Sequence, residues 1–503
     1  MSSKYMKGKD IMVIPFNVPW NWSTDYTNQT AFELAKKGNI IVCYLWGDAK
    51  SLKEFAVSGK YPKLIKRHSK NIYLVNPIYF IPFRRFKLIA NLNSLINLLF
   101  LRLFTETVSF FRKAERKIFW IFNPNLIYIY KYFGKKYFLL YDCVDFFAVD
   151  DKENIKRTKL NEQYLCKVAD LVTANSHVLQ NHLSQYRKNI KLVPQGFRIS
   201  DFQRRKYKIK DLNLKKPVIG FVGAINARLD YDLLFNLARK NPNWNFVVWG
   251  PILEKEKINR ETWNKMQELF SLPNVKLGES RDKKGIPGIV SQFDIGMIPY
   301  DISQDFNKYC YPTKLFEYFY LGIPVISTPI EELSYFKGLV FIGKDYKKWQ
   351  KGIEEILAKP WPANKRTKQK QLAIGNSWKN KIEEISKGIA KNNKQYVGLT
   401  KELLKRLPLG FTFTAEVTTA SMEPLLQIGC LVRVKRIRIE QVNKGDVIMF
   451  INTNYRYPAV HRVIKKVKRN SRILLFTKGD NTAQADTHPV EQTNFIGVVL
   501  SRK

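Results

Sequence analysis

A chain of 503 residues with 45% hydrophobic side chains can bury more than one core and is too long for a single compact domain. Lys and Arg number 85 against 43 acidic residues, and the formal charge of +42 implies attraction to polyanions: nucleic acid, anionic lipid or nucleotide diphosphates. Cys43, Cys143, Cys166, Cys310 and Cys430 are scattered without CxxC spacing, which argues against a zinc site or a disulfide framework and for reduced thiols.

At the N-terminus the apolar run Ile11 to Val18 is short and interrupted by Pro15 and Asn17, so it reads as a buried strand and not as a signal peptide. Alternating β-rich and helical stretches follow as far as Gly196, including strands over Ile40–Trp46, Phe138–Val144 and Leu171–Ala174. That rhythm predicts a parallel sheet covered by helices, a first domain over residues 1–200. Within it, Leu88 to Leu101 is uncharged but contains Asn91, Asn93, Ser94 and Asn97, and falls short of the roughly 20 apolar residues that span a bilayer. No transmembrane helix is expected. The basic and apolar stretch Arg84 to Lys117, with Arg84, Arg85, Lys87, Arg102, Arg112 and Arg116, reads either as a surface lying on an anionic membrane or as a core helix with a charged outer face.

The α/β rhythm restarts after the basic segment Arg204 to Lys216, with strands at Pro217–Val222, Asn245–Trp249, Ile295–Pro299 and Pro324–Ser327. A second α/β domain over residues 201–392 follows, closed by a helical segment such as Trp378–Ile385, and then a linker over 393–408. In Phe221-Val-Gly223 a glycine comes right after a buried strand, where backbone can approach a ligand or simply pack closely. In Tyr311 to Thr328 a helix then a strand are expected, with Pro312 at the helix start and Gly322 at its end. Lys314 and Glu317 share one face of that helix, where Lys314 adds positive charge for a phosphate and Glu317 can accept from ribose hydroxyls. The plain alternative is a solvated ion pair.

This stretch resembles the donor-binding helix of GT-B glycosyltransferases of the family 4 group. Phe221-Val-Gly-Ala with Asp230, Trp249-Gly-Pro251, Phe293 to Tyr300, Val193-Pro-Gln-Gly196 with Phe202, Tyr141 to Asp145 and Ala169 to Ser176 are similar to family landmarks in the same order. Over about residues 10–390 the resemblance implies two Rossmann-like domains in GT-B arrangement, a nucleotide-sugar donor, retention of anomeric configuration and no required metal or other cofactor. It implies donor contacts from Gly223, Arg228, Lys314 and Glu317. Asp230-Tyr-Asp232 has the spacing of a metal-binding DxD motif, but sits where a helix begins and reads as capping. Tyr309 stands where the family commonly has a second glutamate. Asp142 and Asp145 are acceptor-side candidates at a strand end, with capping as the competing role. A glycan or a lipid-linked molecule is the expected acceptor.

Beyond Pro408 the pattern becomes short alternating strands, as in Phe411, Phe413 and Ala415. Ser421-Met-Glu-Pro424, Lys444 to Phe450, Val460-His-Arg-Val-Ile464 and Thr477-Lys-Gly-Asp-Asn481 through Asp486 occur in an order that resembles the Ser-His branch of the signal peptidase I superfamily, over about 409–503. The resemblance implies a small, mostly β domain with Ser421 as nucleophile and His461 as base. Asp486 or Asp480 would orient the imidazole, and Asp480 could instead shape its turn. Thr419 and Ala420 stand where a glycine is common, Cys430 where aspartate is usual, and no membrane anchor precedes the domain. Two readings therefore stand: a second, peptide-cleaving activity, or a noncatalytic peptide-binding appendage. Nucleic-acid binding ranks below both, because the basic excess is distributed and no RNA-recognition or helix-turn-helix signature accompanies it. The expected location is cytoplasmic, peripheral to the inner face of the membrane.

Overall fold

The computed structural model describes residues 10–502, apart from 18–19, 21–25, 47–49, 52–62, 82–84, 135–136, 148–153, 203–211, 254–257, 279–284, 391–406, 418–419, 428–429, 453–457 and 470–471. Arg84, Thr419 and nearly all of the expected linker lie outside the described residues. Two compact units result, residues 1–388 and 389–503.

The first unit holds two α/β layers. In chain order its first strands are β1 (Asp10–Phe16), β2 (Ile40–Leu45), β3 (Lys50–Ser51), β4 (Ile65–Ser69), β5 (Ile72–Val75), β6 (Ile78–Tyr79), β7 (Arg116–Ile121), β8 (Phe138–Cys143), β9 (Leu171–Ala174) and β10 (Lys191–Leu192). Eight of them form a sheet in the order β10-β9-β8-β7-β1-β2-β5-β4, while β3 pairs with β6. All pairings in the large sheet are parallel except β4 with β5. Every residue of β1 and β2 is buried, as expected of central parallel strands covered by helices on both faces.

The second layer is a parallel sheet of β11 (Val218–Val222), β12 (Asn245–Trp249), β13 (Val275–Gly278), β14 (Ile295–Ile298), β15 (Val325–Ser327) and β16 (Val340–Ile342), in the order β13-β12-β11-β14-β15-β16. Each sheet has its own core, one around Phe119, Tyr141 and Val172 and the other around Phe221, Phe316 and Trp349.

The closing helix, 378–390, returns to the first sheet. Phe197 and Ser377 form a bridge that brings the chain back, and Trp378 fills the space over Gly196, where an added Cβ would lie 2.3 Å from the indole. Lys191 donates to the Glu384 carbonyl, and the ammonium of Lys381 sits 3.5 Å from a carboxylate oxygen of Asp142, both side chains almost wholly buried.

The second unit is an antiparallel sheet of β17 (Thr412–Glu416), β18 (Leu431–Lys435), β19 (Val447–Ile451), β20 (Pro458–Arg469), β21 (Arg472–Lys478) and β22 (Phe495–Arg502), in the order β17-β18-β22-β19-β20-β21. Alternation along β18 buries Val432 and Val434 and leaves Leu431, Arg433 and Lys435 outside, the period-two pattern of a half-buried strand.

One correction concerns length. The helix anticipated within Leu88 to Leu101 runs from Lys87 to Phe111, 25 residues, because Arg102 interrupts the apolar run without ending the helix. It is long and apolar enough to cross a membrane by length and composition.

Burial of the Lys381–Asp142 pair makes a prediction. Lys381→Met should destabilise the first unit by about 3–5 kcal/mol, because it strands a buried carboxylate, and adding Asp142→Asn should recover much of the loss. Urea titration followed by tryptophan fluorescence reads both, and equal stability of Lys381→Met and wild type would show that the pair does not carry this packing.

Candidate functional site

The donor-side candidates converge at the carboxyl end of β11. Gly223 follows the strand with φ +154°, a conformation L side chains rarely adopt, and a Cβ there would meet Cε of Lys314 at 2.2 Å. Glycine is therefore required for the lysine to lie across the turn. Lys314 opens the helix Lys314–Leu321, with Thr313 as N-cap, Pro312 just outside the helix, and Gly322 ending it in the left-handed region at φ 71°. Its ammonium donates to the Tyr300 hydroxyl at 3.0 Å and lies 5.0 Å from the centre of the Phe221 ring.

Arg228 reaches the same tyrosine. Its guanidinium stands 4.7 Å over the Tyr300 ring and 4.6 Å over Phe306, and Nε donates to Asn307 Oδ1 at 2.6 Å. Asn307 is buried and donates in turn to the carbonyls of Arg228 and Asp301, so the arginine is held at both backbone and side chain. Two cations thus share one aromatic ring at a strand edge. Their field reaches Cys310: burial pushes its thiol up to about 11, while Arg228 and Lys314 pull it down and Asp145 adds to the rise. Glu317 lies in the first turn of the helix, half-buried.

The DxD spacing has other duties. Asp230 accepts from the Leu233 N–H at 2.9 Å as the N-cap of the helix Tyr231–Lys240, and Asp232 pairs with Lys265 at 2.6 Å. Tyr309 packs against Phe146, three residues beyond β8, with ring centres 5.4 Å apart. Asp142 is not exposed to an acceptor: it accepts from Thr173 Oγ1 at 2.7 Å and meets Lys381 in the interior. Asp145, two residues beyond the end of β8, is half-buried and electrostatically near Cys310.

In the second unit, Ser421 lies in the short 3-10 turn Ala420–Met422. Its Oγ is 3.1 Å from His461 Nε2, and His461 Nδ1 is 2.6 Å from Asp486 Oδ2. Thr477 Oγ1 donates to the same carboxylate oxygen at 2.6 Å. The Gly479–Asn481 turn clamps Ser421: the Asn481 N–H donates to the Ser421 carbonyl at 2.8 Å, its side chain donates to the Ala420 carbonyl at 3.1 Å, and a Cβ on Gly479 would lie 2.5 Å from the Ser421 carbonyl oxygen.

Asp480 does not reach the imidazole. It holds Arg462 through two hydrogen bonds of 2.9 and 2.8 Å. His461 and Arg462 are consecutive on β20, and successive strand residues point to opposite faces, so the partner of one is remote from the other.

Among solved structures, the first unit is similar to sucrose-phosphate synthase from Thermosynechococcus elongatus, with TM-score 0.57 at 15% identity over 78% of this chain and 100% of that one. It is similarly close to Anabaena HepE in complex with UDP, with TM-score 0.55 at 12% identity over 76% of this chain and all of the other. The first unit has the GT-B fold. No protein-family model matches the sequence. The glycosyltransferase TuaH of Bacillus subtilis (strain 168), named for teichuronic acid biosynthesis, is 29% identical over 212 residues, which cover 39% of this chain and 51% of TuaH. Signal peptidase I W of the same organism is 38% identical over 89 residues, 17% of this chain and 46% of the relative. The SEC11 catalytic subunit of the Pyricularia oryzae signal peptidase complex is 33% identical over 93 residues, 17% of this chain and 54% of the relative. The chain spans about half the length of each of these relatives. A terminal segment of about 90 residues is thus homologous to signal peptidase I.

Sequence reasoning missed four residues of these constellations. Tyr300 and Thr477 lay inside quoted motif blocks, and the signal for each was a polar group one or two positions from a strand end. Asn307 and Phe306 carried no signal, because they sit on the short helix Asp305–Lys308, and Asn307 is 79 residues from Arg228 in sequence.

The Lys314–Arg228 cluster and the Ser421–His461–Asp486 cluster thus fall in different units of the chain. For the second, Asp486→Asn should lower acylation by a serine-reactive probe by about 10²- to 10⁴-fold through loss of imidazole orientation. Asp480→Asn should cost far less, and Gly479→Ala should impair labelling by displacing Ser421. Labelling rates ranked with Asp480→Asn slowest would reverse the assignment.

Proposed function

We propose that the chain is a bifunctional enzyme: a glycosyltransferase in its GT-B unit and a serine peptidase in its terminal unit. The observation that carries the first half is the pair of cations on Tyr300 beside Gly223. A sugar nucleotide fits with its diphosphate over Gly223, between Lys314 and Arg228, and its ribose hydroxyls donating to Glu317. HepE was solved with UDP and with UDP-glucose, which supports a UDP-sugar as donor. As the bond from sugar to diphosphate breaks, negative charge grows on the leaving phosphate, and Lys314 and Arg228 stabilise it. Two fixed cations do here what a metal does elsewhere, and the sugar passes to a glycan or lipid-linked acceptor with retention of configuration. This reading puts the enzyme at the cytoplasmic side of an anionic membrane, where the basic and apolar helix Lys87–Phe111 meets the lipid surface.

The second half rests on the Ser421–His461–Asp486 geometry. His461 Nε2 takes the Ser421 proton as Oγ attacks a peptide carbonyl, and returns it to the leaving amine; water then hydrolyses the acyl-enzyme by the same route. Asp486, held by Thr477, stabilises the imidazolium. A peptide-binding appendage without catalysis is the competing reading for this unit.

Both halves are tested on one preparation. UDP-sugars should raise the thermal stability of wild type, and Lys314→Ala and Glu317→Ala should each weaken that binding by at least about tenfold. Unchanged donor affinity in both variants would reject the donor site. Ser421→Ala should abolish labelling by a serine-reactive probe and leave donor binding intact. Wild-type protein that binds peptides but neither labels nor cleaves would establish the appendage instead.

A further inference from the structure

The short 3-10 helix Glu331–Phe336 follows β15, and about three residues per turn put side chains three apart on the same edge. Leu333 and Phe336 share one edge. Leu333 is buried in the core of the second sheet, and the Phe336 ring lies 6.3 Å from Phe316 and 5.7 Å from Phe319, both on the helix Lys314–Leu321. Glu332 and Tyr335 share the next edge, which meets the helix His177–Ser184 that follows β9 of the first sheet. One short element thus touches the donor helix with one edge and the opposite sheet's helix with another.

Glu332 is 2% exposed, and its two hydrogen bonds among the described residues both cross to that helix. Oε1 lies 2.9 Å from His177 Nδ1, and Oε2 accepts from the Val178 N–H at 3.2 Å. A carboxylate only accepts, so Nδ1 carries the hydrogen. The Val178 amide is one of those that a helix start leaves without an intrahelical partner, and the positive end of the helix favours a negative charge beside it. The imidazole also stacks on the Tyr335 ring, centres 4.0 Å apart and planes at 15°. A buried carboxylate is costly without such partners, so the turn that carries Glu332 is held where His177 and Val178 are.

The same turn reaches the lead-in to the donor helix. Tyr311, three residues before Lys314, packs its ring 5.6 Å from Phe316 and 6.3 Å from Phe336. Burial pushes its hydroxyl well above the ordinary tyrosine range, and the nearby charge of Glu332 adds to the rise. Phe146 makes a second contact from the first sheet to this lead-in, on Tyr309.

We infer that Glu332 is a positioning residue for the sugar-nucleotide site: anchored on His177 and Val178, it sets the turn against which the Lys314 helix packs, so that the donor cations are fully placed only when this contact is made. The inference rests on the glycosyltransferase reading of the first unit. Glu332 acts through Phe336 and Tyr311 and not on the donor itself. Donor affinity and the Glu332–His177 contact are then linked, each strengthening the other by the same factor. A sugar nucleotide is held firmly only with the opposite sheet in place, which limits its transfer to water.

The test uses the full-length chain with UDP as the probe, its affinity measured by calorimetry and amide hydrogen exchange followed with and without saturating UDP. His177→Ala should weaken UDP binding by at least about fivefold, and His177→Asn, whose side-chain amide donates in place of Nδ1, should recover most of the loss. Glu332→Gln should weaken binding at least as much. If that buried change prevents folding, the His177 pair still reads the contact, because the His177 side chain is 39% exposed. UDP should slow exchange of the Val178 amide in wild type, and His177→Ala should reduce that protection. A residue that only stabilises the fold would change exchange equally with and without UDP. Unchanged UDP affinity in His177→Ala, binding by His177→Asn no better than by His177→Ala, or Val178 exchange indifferent to UDP in wild type would each overturn the inference. Wild type that binds UDP and shows none of these effects overturns this inference alone, whereas wild type that binds no UDP overturns the glycosyltransferase reading.

Discussion

A lysine and an aspartate buried together, Lys381 against Asp142, hold the last helix of the first unit on the opposite sheet, and the relation between the two halves of the GT-B site depends on that crossing. A buried ion pair of this kind is weak evidence for stability, since desolvating two charges offsets most of their attraction. Its consequence here is positional. With helix 378–390 returned and Trp378 seated over Gly196, elements that follow the strands of one sheet meet those that follow the strands of the other. Phe146, beyond β8, packs on Tyr309, beyond β14, and His177, beyond β9, bonds Glu332, beyond β15, at 2.9 Å while stacking on Tyr335. These segments meet because parallel strands all end on the same edge of their sheet.

On that edge the donor side is arranged around absences of side chain. Gly223 and Gly250 are close enough that a Cβ on Gly250 would lie 1.9 Å from the Gly223 carbonyl oxygen, and both have φ near 150°. Only glycine permits this approach, and the room it leaves is where Lys314 lies. The lysine and Arg228 rest against Tyr300, Phe221 and Phe306, whose ring faces hold both cations in place by electrostatic attraction.

Much of this was legible in the sequence, for reasons that differ by element. Central strands such as Asn245–Trp249 and Leu171–Ala174 were placed without error because continuous apolar runs bounded by polar residues have no other use at that length. Lys314, Glu317 and Gly322 were legible because a helix stop and a charged first turn are local signals. Asp142 was not, because its partner Lys381 is more than 200 residues away and nothing local distinguishes a strand-end carboxylate facing a cleft from one facing a buried ammonium. The outward turn of Leu88 to Phe110 was also hidden: asparagines in an apolar stretch suggest an interrupted segment, and only the Ile78 and Ile81 backbone groups they satisfy show that they are the buried side.

The choice between Asp480 and Asp486 shows what a motif cannot supply. Both follow Thr477 within ten residues, and either could orient an imidazole if order along the chain were all that mattered. Register decides it. His461 pairs with Ile448 on one side, Arg462 and Val463 pair with Lys478 and Thr477 on the other, and a bulge between Val463 and Lys465 shifts the rest of the hairpin. Pairing residues with a period of two puts His461 on the face of buried Val463 and puts Arg462 on the opposite face with Asp480. A slip of one residue would exchange the two, presenting an arginine to Ser421 and the imidazole to Asp480. The bulge pins the hairpin against that slip, as bulges do where a strand must aim one side chain. The backbone bond from the Asp486 N–H to the Thr477 carbonyl, 2.8 Å, ties the carboxylate to the same register. The Ser421–His461–Asp486 geometry is thus a property of the sheet, and depends on strand pairing as much as on the three residues themselves.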